Sequence, residues 1–493
     1  MGATAWLVML LTHPLEFRTL LQFYLYHEEK RDLTSIREHT TSGWDRESMR
    51  KCWHYLAQTS RSFVAVIKEL DGDLARTICL FYLVLRGLDT IEDDMTLPDE
   101  KKQALLRNFH TSTITPGWNF DGCGPNEKDR DLLVEYHVVV EELNRLDPAY
   151  RHVILDICEK MENGMADFAH KAATTGSTYL ECIADYDLYC HYVAGLVGEG
   201  LSRIFSASKK EAAWLGDQLE LSNSMGLLLQ KTNIIRDYRE DVEDKRFFWP
   251  HEIWGQKVYG FSAMTDMIVP SERRQWVQSA MVLDALRHAV DALDYIRLIK
   301  NQTVFNFVSI PATMAMATLE LCFMNPTMFD RNVKIRKAVA ADLIMRSTNP
   351  REVAIIFREY TRKIHAKTVP RDPNFVRLSV ACGKIEQWCE HHYPSFVQLG
   401  QGGQSFNTED ARTNVMLAEK RFDDETKKRR RIEDLRKQLE ANGATGARAN
   451  VDTYEQGSIM EVVLYVVGGL ILILVMCVAL IWGILHYSGE PGY

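Results

Sequence analysis

The sequence lacks the marks of a disulfide framework, a zinc module or a nucleic-acid binder. Its ten cysteines (Cys52, Cys79, Cys123, Cys158, Cys182, Cys190, Cys322, Cys382, Cys389 and Cys477) are scattered, with no C-x-x-C pair. Disulfide frameworks belong to small secreted domains and zinc sites need close ligand spacing, so these read as reduced thiols in a cytosolic compartment. A basic excess is missing too: the net charge is −9 and the pI about 6.0, which argues against nucleic acid as partner. No G-x-G-x-x-G follows a strand-like run, which excludes a Rossmann-type dinucleotide site. Strand-like alternation bounded by turn signals is scarce, and no short-period repeat is found. The apolar patch from Trp6 to Leu11 has no positive flank or small-residue cleavage pattern and runs into His13-Pro14. It reads as a packing or membrane-surface segment, not a signal peptide.

What is present is length and helical periodicity. The 493 residues, 46% hydrophobic and 25% charged, suffice for one large domain or two to three ordinary ones. From Trp44 to about Ser395 apolar residues recur at spacings of three and four, as in Cys79-Leu80-Leu83-Val84-Leu88. Breakers cluster at Thr115-Pro116-Gly117, from Asp121 to Pro125 and from Pro370 to Pro373. This predicts a single all-α domain over 44–395, its helices around a central cavity, preceded by an N-terminal segment over 1–43. Residues 396–460, flexible and then densely charged with interleaved signs, read as a tether. Within 461–486, Val462 to Leu485 carries no charge. As a helix it spans about 36 Å, enough for a hydrocarbon core of about 30 Å, so the expectation is a tail anchor in a lipid bilayer.

One acidic pattern occurs twice. Asp89-Thr90-Ile91-Glu92-Asp93 and Asp237-Tyr238-Arg239-Glu240-Asp241 both read D-x-x-E-D. On a helix, positions i, i+3 and i+4 share a face, so each copy is expected to present three carboxylates from one patch. A solvated acidic face is the plain alternative: one copy arises by chance in roughly one chain in ten of this length, two in roughly one in two hundred. Each copy also ends an apolar stretch, which favours a cavity mouth. Repelling carboxylates call for a cation, and Mg2+ fits because it takes oxygen ligands and is held by carboxylates plus substrate phosphates.

Cations accompany the acids. Arg86, Arg236 and Arg61 (in Ser60-Arg61-Ser62-Phe63) have guanidinium forks suited to phosphate, or to plain salt bridges. Tyr189-Cys190-His191-Tyr192-Val193-Ala194-Gly195-Leu196-Val197-Gly198 combines phenols with small residues that permit close helix approach. Asn301-Gln302-Thr303-Val304-Phe305-Asn306-Phe307 supplies aromatics for a dry pocket. Taken alone, each of these last two reads as core.

Together and in this order, S-R-S-F, the first D-x-x-E-D, Y-C-H-Y-V-A-G-L-V-G, Q-K-T-N-I-I-R-D-Y running into the second D-x-x-E-D, and N-Q-x-V-F-N-F resemble the eukaryotic squalene synthases, over about Trp44 to Ile344. The resemblance implies the class I isoprenoid synthase fold and a two-step reaction. Two farnesyl diphosphates condense to presqualene diphosphate, which NADPH then reduces to squalene. It implies metal ligation by Asp89, Glu92, Asp93, Asp237, Glu240 and Asp241, proton handling by Tyr189, and shielding of a cation from water by Phe307. It places Ser60, Arg61, Phe63, Tyr82, Arg86, Val197, Gln230, Asn233 and Arg236 on substrate. Lys128, Lys334 and Arg336 fall on the nicotinamide cofactor, the last two within Val333-Lys334-Ile335-Arg336-Lys337. It further implies a monomeric catalytic domain on the cytosolic face of the endoplasmic reticulum. One departure is Val308-Ser309-Ile310-Pro311-Ala312, where the family commonly reads Cys-Ala-Ile-Pro-Gln, so Ala312 lacks an amide that often faces the second half-site. Two other readings stand beside this one: a phytoene synthase-like condensing enzyme without reduction, and a non-catalytic tail-anchored scaffold.

Overall fold

Apolar spacing of three and four makes helices, and helices are nearly all that the chain forms. The computed structural model describes residues 3–26, 31–60 and 63–394, with Arg431. Arg61, the tether apart from Arg431, and the Val462–Leu485 run lie outside the described residues. The principal helices are α1 (Ala3–Thr12), α2 (Pro14–Tyr26), α3 (Leu74–Asp93), α4 (Pro148–Thr175), α5 (Ile183–Cys190), α6 (Leu196–Ala207), α7 (Leu219–Arg236), α8 (Tyr238–Glu243), α9 (Glu272–Leu286), α10 (Ala289–Leu298), α11 (Gln302–Cys322), α12 (Lys337–Arg346), α13 (Pro350–Ala366) and α14 (Phe375–His392). Two short strands, β1 (Thr178–Tyr179) and β2 (Arg246–Phe247), pair in parallel, with Thr178 opposite Arg246.

Local chemistry sets the helix ends. Asp147 accepts a hydrogen bond from the Ala149 amide (2.8 Å) with Pro148 at the first helical position, and Gly176 closes the same helix at φ 80°. Asn301 caps α11 by accepting from the Thr303 and Val304 amides (2.9 and 3.1 Å). After α3 the chain turns at Asp94, which accepts from the Thr96 amide (2.8 Å) and the Gly124 amide (2.9 Å).

Helices α3 and α7 sit at the centre. α3 buries residues on nearly every side, including Ile78, Phe81, Val84 and Leu88, as expected of a helix apolar all round. α7 packs against α5, α6, α9, α10 and α11. Between α5 and α6 lies a single π-helical turn, His191–Gly195. Close packing there depends on missing side chains. A Cβ on Gly226 would run into the Ala194 carbonyl, and one on Gly198 into the Ser222 carbonyl. The small residues of the Tyr189 segment thus admit α7.

Among the described residues, α11 is the one helix long and apolar enough to span a membrane, but 72% of its apolar window is buried inside the protein. It is a core helix. Burial also explains the thiols: the nine described cysteines are all unpaired, and eight of them are buried.

The unit that contains every described helix runs from Met1 to Val397, so the N-terminal residues are not set apart from the body. Arg31 donates to the carbonyls of Leu70 and Gly72 and pairs with Glu38. Helix α2 packs along α12.

Candidate active site

The C-terminal ends of α3 and α7 carry the two acidic motifs, and a cavity of about 310 Å3 lies against both helices. Its wall is mostly apolar, with Phe63, Ile67, Phe81, Met161, Leu201 and Val308 among its residues. Tyr82, Arg86, Asp89, Val197, Gln230, Asn233 and Phe307 line it as well. Eight of the residues expected on substrate or at the reacting centre, Phe63 included, therefore meet in one pocket. Ser60 stands behind it, buried, its hydroxyl accepting from the Phe63 amide (3.2 Å).

The first motif is a single helical patch. Asp89 accepts from Arg86 (3.1 Å), whose other terminal nitrogen reaches the Tyr82 hydroxyl (3.3 Å). Arg86 also lies 3.6 Å from Asp129, an acid that belongs to none of the motifs. These carboxylates stand at a helix C-terminus, where the backbone dipole adds negative potential. Although 33% of the Asp89 side chain is open to the cleft, enclosure by protein pushes its carboxyl above the ordinary range, and Asp93 and Asp129 add to the rise. Burial raises Glu92 likewise, with Asp93 and Asp89 contributing.

The second motif forms the first turn of α8 and does not continue α7. The helix breaks at Asp237 (φ −92°, ψ 10°), which ends α7 and begins α8. Asp237 is held by Arg236 through two hydrogen bonds (2.8 and 2.6 Å) and by the Asn332 side chain (2.6 Å). Glu240 is exposed. Asp241 is buried, and burial pushes its carboxyl up to about 7, with Asp237, Asp244 and Glu240 adding to the rise. The three acids meet different partners, although the Asp241 amide donates to the Asp237 carbonyl (3.0 Å) and keeps the motif within one helical turn.

What joins the motifs is Arg246 on β2. It lies 3.0 Å from Asp93, 3.2 Å from Asp241 and 3.4 Å from Asp244. One side chain thus bridges both acidic helix ends. Nothing in the sequence singled it out, since its role depends on strand pairing that aims it at the mouth. Arg246 Nε, Arg86 Nε and Asn332 Oδ1 are buried without a hydrogen-bond partner among the described residues. A mouth with crowded carboxylates and two guanidinium N–H groups unspent suits a divalent cation together with an anion.

Tyr189 is buried beside this mouth, stacked on Phe248 (4.8 Å) and edge-on to Phe168 (5.3 Å). Burial holds its phenol well above the ordinary value, and Glu92, Asp93 and Asp89 reinforce the rise, so it keeps its proton. Phe307 is buried edge-on to Phe205 (6.1 Å). Pro311, one turn on, has no N–H to offer the Phe307 carbonyl and itself lines the cavity. Ala312 is fully buried and is not a wall residue.

The residues assigned to the cofactor sit apart from the cavity. Lys128, Lys334 and Arg336 are exposed. Arg336 pairs with Glu16, and the Asn332 contact brings the neighbouring segment beside Asp237. Lys128 lies in the loop that also carries Asp129, which approaches Arg86.

A deep charged network backs the site. Lys231, fully buried on α7, is 2.6 Å from Asp187 of α5 and 2.5 Å from Asp284 of α9, and its ammonium stands over the Tyr186 ring at 4.8 Å. Arg287 pairs with both acids. Two cations and two carboxylates balance, and they fix the helix that carries Tyr189 to the helix that carries Gln230 and Asn233.

An all-α bundle whose two acid-tipped central helices meet over an apolar cavity has the architecture for handling an apolar diphosphate. The chain belongs to the squalene/phytoene synthase family, whose family model matches residues 56–338. It is 64% identical over 449 residues to the squalene synthase of Ganoderma lucidum, covering 88% of this chain and 96% of that one. It is 48% identical over 381 residues to the squalene synthase of Schizosaccharomyces pombe, covering 77% and 81%. A solved complex of TcSQS with the ligand E5700 superposes with a TM-score of 0.66 at 39% identity, over 70% of this chain and 99% of that one.

Proposed function

We propose that this chain is a squalene-forming enzyme: it joins two farnesyl diphosphates to presqualene diphosphate and reduces that intermediate with NADPH. The observation that carries the reading is the bridging of both acidic motifs by Arg246, beside an apolar cavity that Asp89 lines, together with squalene synthase relatives that match over most of their length.

Each residue then has a task. Asp89, Glu92, Asp93, Asp237, Glu240 and Asp241 would hold Mg2+, which when bound would offset the negative charge of a departing diphosphate. Arg86 and Arg246 hold diphosphate oxygens with their unspent N–H groups, and Arg236 joins them by leaving Asp237. Tyr189, protonated at rest, donates to and recovers a proton near the leaving group. The apolar wall around Phe307 excludes water, which would otherwise capture the cation as an alcohol. Lys128, Lys334 and Arg336 match the charge of cofactor phosphates. Val462 to Leu485 anchors the protein in the endoplasmic reticulum membrane.

The deciding assay supplies farnesyl diphosphate and Mg2+ with and without NADPH and identifies the products. Squalene is expected with NADPH, and presqualene diphosphate or hydroxylated products without it. A C30 product that forms equally well without NADPH would favour a phytoene synthase-like reaction instead.

A further inference from the structure

The N-terminus carries apolar surface that the catalytic site does not use. Helices α1 and α2 form one kinked arm: the His13 amide reaches the Met9 carbonyl (2.8 Å) and the Phe17 amide the His13 carbonyl (3.0 Å). The kink falls at Pro14, which has no N–H to continue the ladder. One side of α2 rests on α12, and Glu16 pairs there with Arg336. Other arm residues are open to solvent, with Leu11 76%, Leu15 75% and Leu25 61% exposed.

Two features identify what covers this surface. Ala3–Thr12 contains no charge, and its exposed residues Val8, Leu10 and Leu11 point in different directions around the axis. A groove on a protein needs one apolar stripe, whereas an arm apolar on all sides suits a lipid phase. Positive charge predominates around it among the described residues. Arg18, one turn from Leu15, is exposed, as are Lys334 and Lys337 beside the Glu16–Arg336 contact, and Glu16 is the only acid from Ala3 to Tyr26. Apolar side chains flanked by cations match a bilayer with anionic headgroups.

We propose that the α1–α2 arm is a second membrane contact, laid into the headgroup–acyl boundary of an anionic bilayer. The proposal rests on the reading of Val462–Leu485 as an anchor, which brings the body to a membrane. Since α2 lies on α12 and α12 on α11, the arm sets the lipid surface beside the helix that carries Phe307. That is a useful place for an enzyme whose product is a hydrocarbon.

The test uses the full chain with benzoylphenylalanine at Leu11, Leu15 or Leu25, reconstituted in phosphatidylcholine vesicles with or without phosphatidylserine and irradiated. Phospholipid adducts are expected at about tenfold the yield of a Val376 control on α14, which is also exposed. The yield should drop about fivefold or more when phosphatidylserine is left out. A cross-linked dimer, an internal link to the C-terminal run, or no adduct above the control would each overturn the proposal. The same probe at Ile471 reports on the anchor alone. Adducts there without adducts on the arm defeat only the second contact, and adducts at neither place defeat the anchor as well.

Discussion

Asp93 and Asp241, on separate helix ends, are held to a common cation: the Arg246 guanidinium lies 3.0 Å from one and 3.2 Å from the other. The pair defines the distance across which the site must work, and it explains how like charges coexist there before any metal arrives.

Replacing that cation should expose the repulsion. Arg246→Gln is expected to lower the stability of the metal-free protein by about 1 kcal/mol, the modest end for ion pairs because Asp93 is open to water. Mg2+ should then raise the melting temperature of the variant more than that of the parent. Thermal unfolding in chelator and in Mg2+ measures both.

Asp93→Asn and Asp241→Asn should each slow diphosphate release by about 10²–10³-fold, the usual scale for losing one electrostatic contact to a transition state. Phosphate-coupled turnover with farnesyl diphosphate reads this directly. Unchanged release in both variants would defeat the catalytic reading.

Protons compete with the metal. Asp241 titrates near 7 and the Asp89 and Glu92 carboxyls are also displaced upward, so part of the site is protonated at slightly acid pH. The charged form binds the cation, so Mg2+ affinity should climb as pH rises through 7 and level off above. Calorimetry in two buffers of different ionisation enthalpy should detect proton release on binding at pH 6.5 and less at pH 8.5.

Behind the site, Lys231→Met would leave Asp187 and Asp284 with Arg287 alone, in the interior. The expected loss is about 3 kcal/mol or more, seen as a large fall in denaturant midpoint at unchanged m.

His288 gives this region an acid limit. Burial, with Lys231 and Arg287 nearby, lowers its pKa to about 3, below the unfolded value. The unfolded chain therefore binds the extra proton between about pH 6.5 and 3, so the stability His288 permits is full above 6.5 and lost as pH falls. His288→Gln should flatten the stability profile by up to about 1.4 kcal/mol per pH unit across that window. Chemical denaturation at several pH values tests it.

The sequence by itself settled the helical class and the family. These follow from the period of apolar residues and from motifs that are local in the chain. Eight residues expected at the substrate did meet in one cavity, because helix spacing carries a motif's residues together onto one wall. Locality has a limit as well: both D-x-x-E-D copies form a helical turn, but a break at Asp237 sets the second on α8, past the end of α7. Which charges meet across the mouth was decided only by tertiary structure. Arg246 reaches Asp93 from a strand pair, and Asp129 and Asn332 reach Arg86 and Asp237 from loops far along the chain. The buried Lys231 network was equally silent in the sequence, since a lysine in a helix reads as surface until two carboxylates from other helices close over it. Period and local motif are written along the chain, whereas the pairing of distant charges is fixed only when packing brings their helices together.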